Sequence, residues 1–178
     1  ARFRADGPSG VQMQFLAHSG WRTLDHLAPE RFTDAAIRQF YRATDPPTHV
    51  MLWIGQNLGA GEATGFSAGD ASMYRENLRA IMDRHNAAIA DLGSPAPRWL
   101  LISQYKTGYP ESYHQLMAQA QYDLAKSDTN VCTLNLYLLA GGENFNHAAY
   151  LTDGVHPSAL GVAYLSKLMN AAMQAAVA

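Results

Sequence analysis

Cysteine, charge and long apolar runs are all scarce in this chain, and each scarcity removes a class of function. A single cysteine, Cys132, excludes a disulfide within the 178 residues, and the redox compartment stays open. It lies in an apolar run with no paired thiol or flanking histidine, so it reads as a small core residue and not as a nucleophile. Charged residues make up 16% of the chain, the formal net charge is -2, and Lys and Arg form no cluster. The electrostatic footprint that nucleic acid or an anionic membrane requires is therefore missing, and nucleic acid is not an expected partner. The longest apolar stretches, such as Val50 to Ile54 and Trp99 to Ile102, fall far short of the roughly 20 residues that cross a bilayer as a helix. Metal-ligand spacing is missing as well. His26, His49, His85, His114 and His147 form neither a His-x3-His nor a Cys/His pair, so no metal is expected. Gly55 to Gly65 holds several glycines but neither the lysine nor the strand-to-helix context of a phosphate loop, which disfavours nucleotide binding.

What is present suffices for one folded unit. With 48% hydrophobic residues over 178 positions, the chain can bury a proper core, and residues 1–178 read as a single domain. Four short runs rich in β-branched and aromatic residues, each bounded by Gly, Pro or Asp, predict strands: Val11 to Ala17, Thr48 to Gly55, Arg98 to Tyr105 and Asn130 to Tyr137. Trp53 and Trp99 fall inside two of these runs and read as core. Between the runs the apolar residues recur at three- and four-residue steps. The clearest case is Gly69 to Leu92, with Met73, Leu78, Ile81, Met82, Ile89 and Leu92, closed by Gly93, Pro95 and Pro97. Ser158 to Val177 repeats the pattern and predicts a terminal amphipathic helix opened by Pro157 or Ser158. Strands alternating with helices predict an α/β fold, a three-layer α/β/α sandwich around a parallel sheet. In such sheets ligands bind beyond the carboxyl ends of the strands. That directs attention to Ser19 and Gly20, Gln56 and Asn57, Gln104 to Lys106, and the loop Asp153 to His156.

Three of these places carry chemistry. In Leu151-Thr152-Asp153-Gly154-Val155-His156-Pro157-Ser158, an aspartate three residues before a histidine can orient the imidazole and stabilise its protonated form, as a general base acting on a serine hydroxyl requires. A loop histidine near an aspartate also serves as a surface or capping feature. Val50 to Asn57 is an apolar run ending in Gly55-Gln56-Asn57, where a side-chain amide can aim donors at a developing oxyanion; a plain turn asparagine has the same look. Phe15 to Trp21 ends in small residues, with Gly20 offering a backbone N–H, and Trp21 beside it is a candidate to border a substrate. His147, shortly before the Asp/His loop, reads as a surface residue.

Taken in order, these blocks resemble the SGNH (GDSL-type) hydrolases, a family of α/β serine esterases, lipases and acetylesterases, over essentially Val11 to the end. Asp-Gly-Val-His-Pro-Ser followed by Gly161 is similar to the family's last block, which implies that Asp153 and His156 are two members of a catalytic triad. Gly55-Gln56-Asn57 is similar to the third block, usually Gly-x-Asn-Asp, with Leu58 at the second acidic position; Asn57 is implied as an oxyanion donor. Gly20 matches the glycine whose backbone N–H completes that oxyanion hole. The family's first block, a strand leading to Gly-Asp-Ser, does not occur. Gly69-Asp70-Ala71-Ser72 is closest in letters but follows no strand and comes after the third block.

Three explanations stand for the missing serine. The first strand and its nucleophile can belong to an upstream segment, which the abrupt opening of the chain favours. Ser19 or Ser9 can substitute, although Ser9 suits the Gly-Pro-Ser-Gly turn. The chain can also be a non-catalytic relative that keeps the cleft. The leading expectation is an ester hydrolase acting on carbohydrate O-acetyl groups or lipid esters, with no cofactor and with a small-molecule, glycan or lipid ester as partner. The resemblance favours a secreted or extracellular setting. The competing expectation is a carbohydrate-binding or structural module on a degenerate hydrolase fold. A flavodoxin-like binder is a third, which leaves the Asp/His loop unexplained.

Overall fold

A computed structural model describes residues 16–44, 46–57 and 67–177, with the side chains of 175–177 excepted. Val11 to Phe15, most of the first expected strand, lie outside the described residues, and Leu16 and Ala17 are not in a strand. The other three expected strands are present: β1 (His49–Leu52), β2 (Arg98–Ile102) and β3 (Val131–Leu134). They form a sheet in the order β1-β2-β3 with both pairs parallel, His49 opposite Arg98 and Trp99 opposite Val131. β2 is central and apolar on both faces, as a strand covered on both sides must be.

Trp99, Leu101 and Val131 face one side, where they pack with Tyr74, Leu78 and Met82 of α3 (Ala68–Ala90) and Tyr113, Met117 and Leu124 of α4 (Glu111–Ser127). Leu100, Ile102 and Leu134 face the other. There they meet Leu165, Leu168 and Met169 of α7 (Ala159–Val177), together with residues of two single-turn helices, α5 (Leu136–Leu139) and α6 (His147–Tyr150). The result is an α/β/α sandwich of three layers with a parallel sheet, the fold class that the alternating pattern predicts. Two shorter helices, α1 (Thr23–Leu27) and α2 (Asp34–Arg42), lie against α3. Phe32, Ile37 and Tyr41 join Ala88 and Ile89 there in a separate apolar cluster.

Local chemistry sets the boundaries. Ser67 accepts from the Asp70 N–H while the Asp70 carboxylate accepts from the Ser67 N–H, a reciprocal cap that opens α3. α4 starts at Glu111 directly after Pro110 and carries Lys126 in its last turn, charges placed to suit the helix dipole at both ends. The sequence runs overstate two strands. Thr48 to Gly55 pairs only over His49–Leu52, and Asn130 to Tyr137 leaves the sheet after Leu134, because Asn135 accepts from the Leu138 N–H at 3.1 Å and turns the chain into α5.

Two residues expected in the core are not there. Trp53 is 42% exposed because, among the described residues, β1 has a neighbour on one side only, and its face bearing His49 and Met51 is likewise open. Cys132 is exposed on β3, the opposite edge, where its thiol lies 3.3 Å from the Trp99 carbonyl. Position in the sheet, not hydropathy, decides both. Trp99, on the central strand, is buried as expected.

Candidate active site

The loop after α6 is built by its own aspartate. Asp153 Oδ1 accepts from the backbone N–H groups of Val155 and His156 at 3.0 and 2.7 Å, while Oδ2 stands 2.7 Å from His156 Nδ1. Gly154 between them takes φ +79°, a conformation that side chains rarely adopt. The loop closes on itself at its base, where Thr152 donates its N–H and hydroxyl to the His156 carbonyl at 2.8 and 3.0 Å. Leu151 and Pro157 form an isolated antiparallel bridge. The backbone donor of His156 first, then its imidazole, then the Val155 N–H hold the Asp153 carboxyl down at about 2. An ionised carboxylate can only accept, so Nδ1 carries the proton and Nε2 is left as the basic nitrogen. Both side chains are open to solvent, His156 at 75% and Asp153 at 56%.

Two contacts dock this loop on the segment that leaves the carboxyl end of β2. The Tyr105 hydroxyl donates to the Val155 carbonyl at 2.8 Å, and the Gly108 N–H donates to the Gly154 carbonyl at 3.0 Å. Tyr105 is itself buried, and burial and then the nearby Asp153 charge push its hydroxyl up to about 12, so it remains a donor. Behind the loop, Ser158 donates its N–H to the Tyr150 carbonyl at 2.8 Å and accepts from the Gly161 N–H at 3.1 Å, which starts α7.

The second group of expected residues meets beyond β1. Asn57 Nδ2 donates to the Trp21 carbonyl at 3.4 Å, which brings Asn57 beside the Gly20–Trp21 turn. Gly20 has φ +76° and open space around it, and Trp21 stacks on His18 with ring centres 3.8 Å apart. Gly55 is buried at φ +137°, and its carbonyl accepts from the Tyr113 hydroxyl. The neighbouring Ile54 carbonyl accepts from the Tyr74 hydroxyl at 2.8 Å, so the turn that presents Asn57 is pinned from α3 and α4.

The structure thus pairs Asp153 with His156, and Asn57 with Gly20–Trp21. Among the described residues no hydrogen bond joins one pair to the other. Trp53, just past β1, meets Tyr105 edge-on at 6.3 Å, and Tyr105 carries the Asp/His loop. Among the described residues no serine hydroxyl is bonded to His156. Ser19 lies exposed in the Gly20 turn, and Ser9 lies outside the described residues. Sequence reasoning named the Gln104 to Lys106 stretch as rim but missed Tyr105 and Gly108 as the clamps of the loop. A tyrosine three residues past the end of β2 was the available signal. His147 is half-buried, with its Nε2 unpartnered.

The described residues thus form an α/β sandwich with a parallel sheet and an exposed Asp–His pair docked at its carboxyl rim, the side on which open α/β sheets in general bind ligands. No family model matches the chain, and no curated protein matches it.

Proposed function

We propose that this chain is the larger part of a serine-type ester hydrolase of the SGNH kind, acting on acyl esters of carbohydrates or lipids. One observation carries the reading: Asp153 fixes His156 in the tautomer whose Nε2 accepts a proton, on a loop docked at the carboxyl rim of the sheet. In this reading a nucleophilic serine from a segment outside these residues gives its proton to His156 Nε2 as its oxygen attacks the ester carbonyl. Asp153 stabilises the imidazolium that forms, and His156 then protonates the departing alcohol. Asn57 Nδ2 and the Gly20 N–H hold the negative oxygen of the tetrahedral intermediate. The open side of β1 supports the placement of the serine. Among the described residues nothing pairs with that edge, and Met51 and Trp53 stand 45% and 42% exposed beside it. A parallel strand added there would end at the rim where Asn57 sits.

The test is labelling of the full protein with a fluorophosphonate and mapping of the modified serine by mass spectrometry. Modification of a serine outside residues 1–178 that vanishes in His156→Ala supports the reading. Modification of Ser19 or Ser9 would move the nucleophile into this chain, and no modification at all would overturn hydrolysis. The openness of the Asp–His pair, and the lack of a serine partner for it among the described residues, speak for the second reading, a non-catalytic carbohydrate-binding or structural module.

A further inference from the structure

On the opposite edge of the sheet from β1, a cleft of about 370 Å³ opens between α4, β3 and α5. Its size falls in the usual range of small-ligand sites. Its walls are uncharged: Gln115, Gln119 and Gln121 from α4, Thr133 from β3, and Ser103 and Asn135 just past the carboxyl ends of β2 and β3. Tyr122 and Leu138 form an apolar rim, 52% and 66% exposed.

The floor is unfinished. Gln121 is 1% exposed, and its amide nitrogen donates to the Tyr74 hydroxyl at 2.9 Å and to the Ile102 carbonyl at 3.2 Å. Those two bonds fix which end of the amide is nitrogen, since a carbonyl cannot donate. They leave Oε1 buried without a partner. A buried acceptor left unpaired costs on the order of 1–3 kcal/mol. Two further amides are preset. Gln119 Nε2 donates to Asp123 at 2.8 Å and Gln115 Nε2 to Glu111, which orients both amides and leaves each a second N–H to donate and an oxygen to accept. Asn135 Oδ1 is taken by the Leu138 N–H and the Ser103 hydroxyl, which leaves its Nδ2 as a donor. The cleft therefore presents amide acceptors and donors, a threonine hydroxyl and an aromatic rim; its own lining is uncharged, and the Lys126 ammonium stands 5.7 Å from the centre of the Tyr122 ring.

We propose that this cleft binds a neutral polyhydroxylated ligand, a carbohydrate unit whose hydroxyls donate to the glutamine oxygens and whose C–H face lies on Tyr122. The site is two strands away from β1 and Asn57, and it does not depend on ester hydrolysis. An apolar ligand would cover the polar side chains of this lining without giving them partners.

The test is titration of the full chain, followed by NMR of the side-chain amides, with xylobiose, cellobiose and maltose as neutral probes and glucuronic acid as the charged control. The expected result is millimolar binding of at least one neutral disaccharide that shifts the Gln119, Gln121 and Asn135 amides, with glucuronic acid weaker. Tyr122→Ala should weaken it about tenfold through loss of the ring contact. Gln121→Leu can perturb the core, so Gln119→Ala, at the surface, is the second variant and should also weaken binding. No shift with any neutral probe, shifts confined to other residues, or binding unaffected by both surface variants would overturn the proposal. His156→Ala should bind the sugar as the parent does. A protein that binds through this cleft but never hydrolyses an ester would sink the hydrolase reading and leave this one standing.

Discussion

Gly161 lies where α7 passes over the Asp/His loop: a Cβ built on it would meet the Tyr150 carbonyl oxygen at 2.0 Å and Pro157 Cβ at 3.3 Å. The Tyr150 oxygen is backbone and cannot swing aside, so Gly161→Ala should destabilise the protein by about 3 kcal/mol, measured as a lower urea midpoint at unchanged slope. Gly55 is different. There the nearest atom to an added Cβ is the Met117 methyl at 2.1 Å, the far end of a flexible side chain, although φ +137° makes any substitution strained. In the hydrolase reading, Asp153→Asn should reduce turnover about 10⁴-fold by removing the acceptor that fixes the tautomer, and Asn57→Ala about a hundredfold. Steady-state assays with p-nitrophenyl acetate on the full protein check both. Equal losses from a remote surface control such as Gln39→Ala would show that the assay reports folding alone. At this scale the sequence revealed the Asp153/His156 pair, because a three-residue spacing on a glycine loop constrains where both side chains go. It did not reveal Tyr105 or Gln121, whose roles depend on partners far along the chain.

Among the elements, the helices were more legible than the strands. The periodicity from Gly69 to Leu92 lies within a residue or two of α3, since a long amphipathic helix repeats its signal many times. The strands pair over four or five residues, and nothing in their apolar runs marks where pairing stops. The docking of α1 and α2 was invisible for a related reason: it rests on side chains that meet partners far along the chain, Arg84 with the most bonds. Arg84 of α3 donates to the His26 and Phe32 carbonyls, both at 2.7 Å, and to Asp34 at 2.6 and 2.8 Å. Arg84→Ala should cost about 3 kcal/mol, and hydrogen exchange should quicken selectively over residues 23–42 while the sheet stays protected. Uniform acceleration throughout the chain would contradict a local clamp. Ser67→Ala, which removes the cap of α3, should cost about 1 kcal/mol.

For the molecule as a whole, acid sensitivity should be set by buried histidines ahead of carboxylates. Burial, more than any neighbouring charge, holds His26, His85 and His114 at about 4, well below their ordinary value of 6.5. Between those limits the unfolded chain binds protons that the folded chain refuses. Their contribution is complete above pH 6.5 and is lost as pH falls toward 4, with a slope of up to about 1.4 kcal/mol per pH unit for each. Asp153, held at about 2, adds its loss only below about pH 4. Urea midpoints taken from pH 7 to 4 should therefore fall steadily, and His85→Gln should flatten the curve. A midpoint constant down to pH 4.5 would exclude this account. The α/β class was readable from alternation alone, whereas the open side of β1 was not, because exposure at an edge is a property of neighbours.

One helix has a reach that none of the others shares. α3 contributes Tyr74, Leu78 and Met82 to the packing under the sheet and, farther along the same rod, Ala88 and Ile89 to the cluster with α2. Because a continuous backbone links the two regions, the sheet layer and the α1–α2 cap have a common hinge of collapse. Heating should abolish both in one event, and a mutation weakening either cluster should lower a shared melting point instead of splitting it.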